Sequence, residues 1–199
     1  QALKLLMFET THFKLLDNKS IICICDALID IFLSINKSEQ ALEYIEIKKN
    51  YLEELNIDKY ILDLIKYYHK INNNIETKRN ILIYLNHDIT EENKIYDFEL
   101  LLDLEFSDYE YDKFYQTTLK LEEYYTRNFM DDKLNSLLYK KGIVYFKDNK
   151  EELSIDIFKK LLNSKNIDKE LLMLSANKLL EIYLKNNETK KAMIIESEY

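Results

Sequence analysis

Glycine and proline are almost missing from this 199-residue chain, which contains one Gly and no Pro. Average composition would supply roughly 14 Gly and roughly 10 Pro in a chain of this length. Phosphate-binding loops, β-hairpins and strained active-site turns depend on Gly, because only Gly adopts positive φ at little cost. The scarcity therefore excludes P-loop and dinucleotide-binding fingerprints, and it argues strongly against an all-β fold.

Cysteine and basic charge are also in short supply. Cys23 and Cys25 form neither a CxxC pair nor a disulfide framework, so we expect both to be buried thiols in a reducing compartment. The net charge of −8 argues against direct nucleic-acid contact by this segment, because binding phosphates requires clustered Lys and Arg. No apolar run approaches the ~20 residues of a membrane span and no secretion signal is evident, so we expect a cytoplasmic protein without membrane contact.

Motifs for catalysis or metal binding are missing as well. The zinc-protease pattern HExxH does not occur, and a GxSxG nucleophile elbow cannot be built with one Gly. Of the three histidines, His12, His69 and His87, only His12 has a carboxylate at metal-binding spacing. It forms one Glu-x-x-His with Glu9, and the second copy that di-iron bundles require does not occur. We therefore expect no enzymatic activity, no cofactor and no metal.

What the chain does contain is helical periodicity from end to end, interrupted by short polar clusters rich in Asn. Asn can adopt the left-handed conformation that ends a helix and can also cap the start of the next one. We expect capping boxes at Ser107 with Glu110 and at Asn149 with Glu152. The pattern predicts an all-α fold of about eleven helices, in one domain spanning residues 1–199, because no linker is long enough to separate two domains. The interruptions fall at residues 17–20, 36–38, 56–58, 72–74, 86–88, 106–108, 129–131, 148–150, 163–168 and 186–187.

An internal repeat lies within this helical pattern. Its clearest copy carries Leu138, Gly142, Tyr145, Ser154 and Phe158, with small residues where two helices would approach closely and large ones between them. Corresponding small-residue positions are assigned at 41, 77, 111, 154 and 192, at intervals of 36, 34, 43 and 38 residues. The pattern resembles the tetratricopeptide repeat, although the proline at the family's repeat boundary is missing and Tyr111 is not a small residue.

This resemblance implies a right-handed α-solenoid of helix pairs, in which the first helix of each pair lines a concave, ligand-binding groove. In such arrays, the ligand-facing residues lie three positions before an anchor residue and one, four or five positions after it. The anchors used here are Ile29, Gly142 and Leu180. The resulting candidate groove residues are Asp26, Asp30, Tyr139, Ile143, Phe146, Lys147, Asn177, Glu181 and Lys185.

A mixture of carboxylates, aromatics, Lys and a carboxamide suits an extended peptide better than a metal or a small cofactor. We expect a non-enzymatic module that binds a peptide or protein. The chain is similar to the peptide-sensing domains of bacterial RRNPP-type transcriptional regulators used in quorum sensing. The alternative is a protein-assembly or chaperone-like scaffold. Residues 1–6 read as the second helix of a repeat, so we expect a longer natural protein, and the oligomeric state stays open, with a homodimer among the options.

Overall fold

The computed structural model describes residues 13–52, 56–87 and 90–199, apart from the side chains of Lys14 and Asn93. Throughout this part of the chain the regular structure is helical and no strand occurs, so the predicted all-α class is confirmed. A 3-10 turn at Phe13–Leu15 precedes ten α-helices. They are α1 (Asn18–Ser34), α2 (Ser38–Lys49), α3 (Ile57–Lys70), α4 (Asn74–Leu85), α5 (Glu91–Ser107), α6 (Tyr111–Arg127), α7 (Asp131–Lys147), α8 (Glu151–Leu162), α9 (Lys169–Lys185) and α10 (Thr189–Glu198). The leading helix predicted at residues 1–6 lies outside the described residues.

The chain divides into two compact units, and the boundary along the chain falls inside α5. The first unit is Gln1–Asp97 and holds α1–α4 with the start of α5, whereas the second is Phe98–Tyr199 and holds the rest of α5 with α6–α10. Within each unit helices pack in consecutive order: α1 on α2, α2 on α3 and α3 on α4 in the first, and α6 through α10 likewise in the second. The first helices of neighbouring pairs also touch, α1 with α3 and α7 with α9. The prediction of a single domain stays a prediction.

The turn inside each helix pair has the same geometry in all five pairs. One residue adopts a left-handed conformation, with φ between 56° and 60°, and the following N–H donates to the carbonyl five residues earlier. This turn gives a hydrogen bond to a carbonyl that would otherwise lack one at the end of the helix. The left-handed residues are Asn36, Asn72, Tyr109, Asn149 and Asn187, at intervals of 36, 37, 40 and 38 residues. Asn fills four of the five positions, which confirms its predicted role in place of Gly.

The fifth residue after each left-handed turn is buried in every pair. It is small in four pairs, as predicted: Ala41, Thr77, Ser154 and Ala192. In the third pair the position belongs to Phe114, so the assignment of Tyr111 was wrong by three residues. The large and the small residue are exchanged in this pair. Thr118, four residues after Phe114, is fully buried, and the equivalent residues of other pairs are the larger Ile45, Ile81 and Phe158. The repeat pattern places the small residue before the large one, so this pair does not match it.

Gly142 lies where α7 meets α8 most closely. A Cβ atom added there would be 2.9 Å from Cζ of Phe158 and 3.2 Å from Cγ2 of Ile157. The Ser154 hydroxyl donates to the Gly142 carbonyl over 2.8 Å across the same contact. The only Gly of the chain thus permits a close helix approach at the position the repeat pattern predicts.

The helix boundaries agree with the predicted interruptions, but two predicted caps are wrong. Ser107 ends α5 and its hydroxyl donates to the Asp103 carbonyl, and Asn149 is a left-handed residue that follows α7. Neither α6 nor α8 has a side-chain cap. Asp17 and Asp168, by contrast, accept hydrogen bonds from the first-turn N–H groups of α1 and α9. None of the described helices is long and apolar enough to cross a membrane.

Candidate functional site

Two of the predicted groove residues, Asp26 and Asp30, line a cavity of about 560 Å³ in the first unit. We call it the first-unit cavity. Its volume lies within the range typical of small-ligand pockets. It lies against the first helices α1 and α3 and the start of α5. The lining residues are Asp26, Asp30, Lys48, Lys59, Leu62, Asp63, Ile65, Lys66, Tyr96 and Asp97.

A buried ion triad forms one wall of this cavity. Lys48 projects from α2, is 2% exposed, and donates to Asp26 of α1 and, over 2.5 Å, to Asp63 of α3. Burial alone lowers the pKa of Lys48, but hydrogen bonds to the two carboxylates outweigh it and leave the pKa above its ordinary value. Burial raises the pKa of Asp63 although Lys48 donates to it. The triad thus joins three helices by ion pairs, in addition to the apolar core that they share.

The opening between α1 and α3 is also lined by charge. Lys66 lies 3.9 Å from the Asp30 carboxylate, and both side chains are largely exposed. Lys59, another exposed residue of α3, lines the same cavity. Such exposed pairs contribute little stability and separate readily, so a ligand could replace either partner at low cost.

Asp97 is the most unusual group in the cavity. Its side chain is 2% exposed, and its buried Oδ1 atom has no hydrogen-bond partner among the described residues. Burial raises the pKa of this carboxyl to about 6. Buried carboxylates are normally paired, because removing an ionised group from water without compensation is costly. Asp97 was not among the residues predicted from sequence.

The second unit has a smaller counterpart, a cavity of about 300 Å³ that we call the second-unit cavity. Lys133 and Lys140 of α7 pair there with Glu99 and Asp103 of α5, at 2.7 Å and 2.5 Å. Tyr125 of α6 also donates to Glu99, and together with burial this contact strongly raises the pKa of Tyr125. The lining residues are Glu99, Leu102, Asp103, Leu121, Tyr125, Asp132, Lys133, Ser136, Leu137 and Lys140.

Three of the four predicted groove residues of α7 are partly buried, although a ligand-facing position predicts exposure. Tyr139 is partly buried and stands edge-on to Phe158 at 5.8 Å between ring centroids, and Ile143 packs against the same core cluster. Phe146 is partly buried beneath Lys185, whose Nζ lies 4.7 Å from the ring centroid. Lys147 is exposed.

The predicted residues of α9 are exposed, and two of them, Glu181 and Lys185, approach α7. Asn177, Glu181 and Lys185 are all solvent-accessible, with Glu181 paired to Lys178 at 2.6 Å. Burial raises the pKa of Tyr139, and the charges of Lys178 and Glu181 modify it in opposite directions. Neighbouring first helices therefore bring Tyr139 and Glu181 near each other.

Sequence reasoning missed the groove residues of α3 and α5, although the signal was present. Every anchor lies seven residues before a left-handed turn residue, which adds Ile65 and Leu102 to the three anchors used. The same offsets from these two anchors give Leu62, Lys66, Glu99 and Asp103, all of which line one of the two cavities. Lys48 and Asp97 stand at no such offset, and no pattern in the sequence distinguishes them from exposed charges.

Other chemistry is sparse. Among the described residues no group of three or more His, Cys, Asp or Glu side chains could hold a metal ion. Both cysteines are free, but Cys23 is exposed, so the expectation that both are buried was wrong for it. Burial raises the pKa of the Cys25 thiol to about 12, which makes it a poor nucleophile.

No protein-family model matches the sequence, and no curated protein matches it.

Proposed function

We propose that this protein is a peptide- or protein-binding module built from right-handed tetratricopeptide-like helix pairs, and that the first helices of the pairs form the binding surface. The observation that carries the proposal is that residues at fixed positions relative to the anchors lie together in the cavities. In three consecutive first helices, the residues three before and one after the anchor line the two cavities.

The repeating contacts support a solenoid arrangement within each unit. Ion pairs between first helices join residues 36, 34 and 37 apart: Asp30 with Lys66, Glu99 with Lys133, and Asp103 with Lys140. Each joins an acidic residue to a Lys of the next first helix, as expected when equivalent surfaces are stacked side by side. Each helix pair then offers similar backbone geometry with different side chains, which suits an extended ligand.

A signalling-peptide sensor of a bacterial transcriptional regulator is the narrower form of this proposal. The alternative is a scaffold that holds a partner protein by other surfaces. Exposed apolar residues on the second helix α4, Leu82 and Ile83, are where such a partner could bind. The two functions therefore place the contact on different helices of the same pair.

The test is a selection of binding peptides from a displayed random library, followed by titration of the selected peptides. We expect Lys66→Ala to weaken binding by about tenfold, roughly 1.4 kcal/mol, because Lys66 lines the first-unit cavity. Leu82→Ala is the matched control: Leu82 is also exposed but lies on a second helix.

The reverse pattern, with Leu82→Ala weakening binding and Lys66→Ala leaving it unchanged, would favour the scaffold. Failure to select any peptide would remove the support for peptide recognition. In both cases the folding of each variant is checked by its unfolding midpoint.

A further inference from the structure

The first-unit cavity has an uncompensated acidic group. Among the described residues, four Asp and three Lys side chains line it, which gives a net charge of −1 when all are ionised. Lys48 binds Asp26 and Asp63, and Lys66 lies near Asp30. The remaining carboxylate is Asp97, whose buried Oδ1 has no hydrogen-bond partner.

The cavity also offers apolar surface beside this carboxylate. Leu62, Ile65 and Tyr96 are among the lining residues, and the Tyr96 ring is largely exposed. An aliphatic chain can lie along Leu and Ile while its charged end reaches a polar group. A cationic end can additionally be attracted by the face of an aromatic ring.

The alternatives to an organic cation fit this lining less well. A metal ion would need several ligands, and the described residues bring no suitable group of three together. An anion could pair with Lys59 or Lys66, but it would give the Asp97 oxygen no hydrogen-bond donor. An apolar ligand would leave the Asp97 oxygen desolvated and still unpaired, which is the costly arrangement for a buried polar atom.

We propose that the first-unit cavity binds a cationic nitrogen group, an ammonium or a guanidinium, that donates hydrogen bonds to Asp97 while its aliphatic stem lies against Leu62 and Ile65. If the cationic group is the Lys or Arg side chain of a bound peptide, this inference rests on the proposed function. A free small amine carries the same chemistry, and the experiment separates the two sources.

The experiment follows amide chemical shifts of the isotope-labelled protein as small probes are added. The cationic probes are the blocked amides N-acetyl-lysine N-methylamide and N-acetyl-arginine N-methylamide, with putrescine as a free amine. The neutral probe is N-acetyl-norleucine N-methylamide, which keeps the aliphatic stem and lacks the charge. We expect cationic probes to shift residues of α1, α3 and early α5, and the neutral probe to bind at least about tenfold more weakly.

Two variants assign the effect to Asp97. Asp97→Asn should weaken the cationic probes by at least about tenfold and leave the neutral probe unchanged. Glu43→Gln removes a negative charge from an exposed position of α2 in the same unit and should change neither. Unfolding midpoints confirm that both variants are folded, and the comparison of charged with neutral probes on the unaltered protein requires no variant at all.

Equal binding of charged and neutral probes, equal binding to Asp97→Asn, or no shifts with any probe would each overturn the proposal. Binding of the blocked amides without putrescine identifies a peptide side chain as the source, whereas binding of all three identifies the amine alone as sufficient. If selected peptides bind but no cationic probe binds through Asp97, this inference fails and the proposed function stands. If no peptide is selected but putrescine binds through Asp97, the proposed function fails and this inference stands.

Discussion

The first-unit and second-unit cavities are alike in construction and different in electrostatics. In both, acidic residues stand three before and one after the anchor of one first helix, and Lys residues of the next first helix line the same cavity. In the second unit Glu99 and Asp103 each pair with an α7 Lys, mostly near solvent. In the first unit one Lys is buried between two carboxylates, and a third carboxylate has no partner. The two cavities thus differ in how deeply their ion pairs are buried, and in whether they contain a buried carboxylate without a partner among the described residues.

The largest expected effect distinguishes buried from exposed ion pairs. Lys48→Met should lower the free energy of unfolding by about 3–5 kcal/mol, because Asp63 would remain buried without a counter-charge. Lys140→Met, which breaks a pair whose Lys side chain is 44% exposed, should cost about 0–1 kcal/mol. Urea denaturation of both variants measures the difference. Equal losses would contradict the distinction between the two cavities.

The next effect concerns the unpaired carboxylate and its dependence on pH. The pKa of Asp97 rises from 3.8 to about 6 on folding, so the folded protein binds this proton more tightly than the unfolded chain. The free energy of unfolding therefore falls as pH rises from about 4 to about 6, and stays lower above that range. The total cost is at most roughly 3 kcal/mol.

Asp97→Asn should remove that cost, so it should stabilise the protein at pH 7.5 and have little effect near pH 4. The charged groups around the cavity are Lys48, Lys59, Asp63 and Lys66, with Asp26 and Asp30. Burial raises the pKa of nearby Tyr84, and the charge of Asp97 adds to that rise. Asp103→Asn, in the second-unit cavity, is the matched control and should show no comparable gain. A destabilised Asp97→Asn at pH 7.5 would mean that this carboxylate is compensated in the folded protein.

A third difference lies at the anchor position itself, where the first unit has Ile29 and the second has Gly142. Gly142→Leu should cost about 1–3 kcal/mol, because even the Cβ atom would meet the Phe158 ring. Ile29→Leu, a change of shape at nearly constant volume, should cost less than about 1.5 kcal/mol. Thermal unfolding of the two variants compares them. An unchanged midpoint for Gly142→Leu would argue against the close approach of α7 and α8.

The smallest expected effects on stability belong to the exposed groove residues of the second unit. Asn177→Ala should change the free energy of unfolding by less than about 0.5 kcal/mol, because Asn177 is exposed. If its amide holds a peptide group, affinity for a selected peptide should fall roughly 5- to 150-fold, about 1–3 kcal/mol. Tyr139→Phe is the suitable companion, since Tyr139→Ala would also remove packing against Phe158. Unchanged affinity in both variants would exclude this surface from the binding site.

Most of the fold could be predicted from the sequence because its determinants are local. Asn clusters mark the helix ends, and the Gly142, Ser154 and Phe158 triplet marks the close contact between two helices. The third pair was misaligned because Phe114 and Thr118 carry the large and small volumes in the opposite order. Packing constrains the combined volume of the two side chains. A pattern that requires a small residue at one position and a large one at the other does not match when they are exchanged.

The candidate site was predicted only in part because burial of charge is a tertiary property. Asp26 and Asp30 follow from the repeat offsets and do line the first-unit cavity. Lys48 and Asp97 have ordinary helical surroundings in the sequence, and only the packing of α1, α2, α3 and α5 removes them from solvent. Tyr139 and Ile143 stand at the predicted offsets, yet they are partly buried against the core cluster that contains Phe158.

The most direct test of the proposed binding surface is photo-cross-linking of a selected peptide. A photoreactive amino acid is placed either at Leu62, which lines the first-unit cavity on first helix α3, or at Leu82, which is exposed on second helix α4. Binding through the first helices predicts peptide cross-links at position 62, their loss on competition with unlabelled peptide, and no specific cross-links at position 82. Specific cross-links at position 82 alone would contradict binding along the first helices.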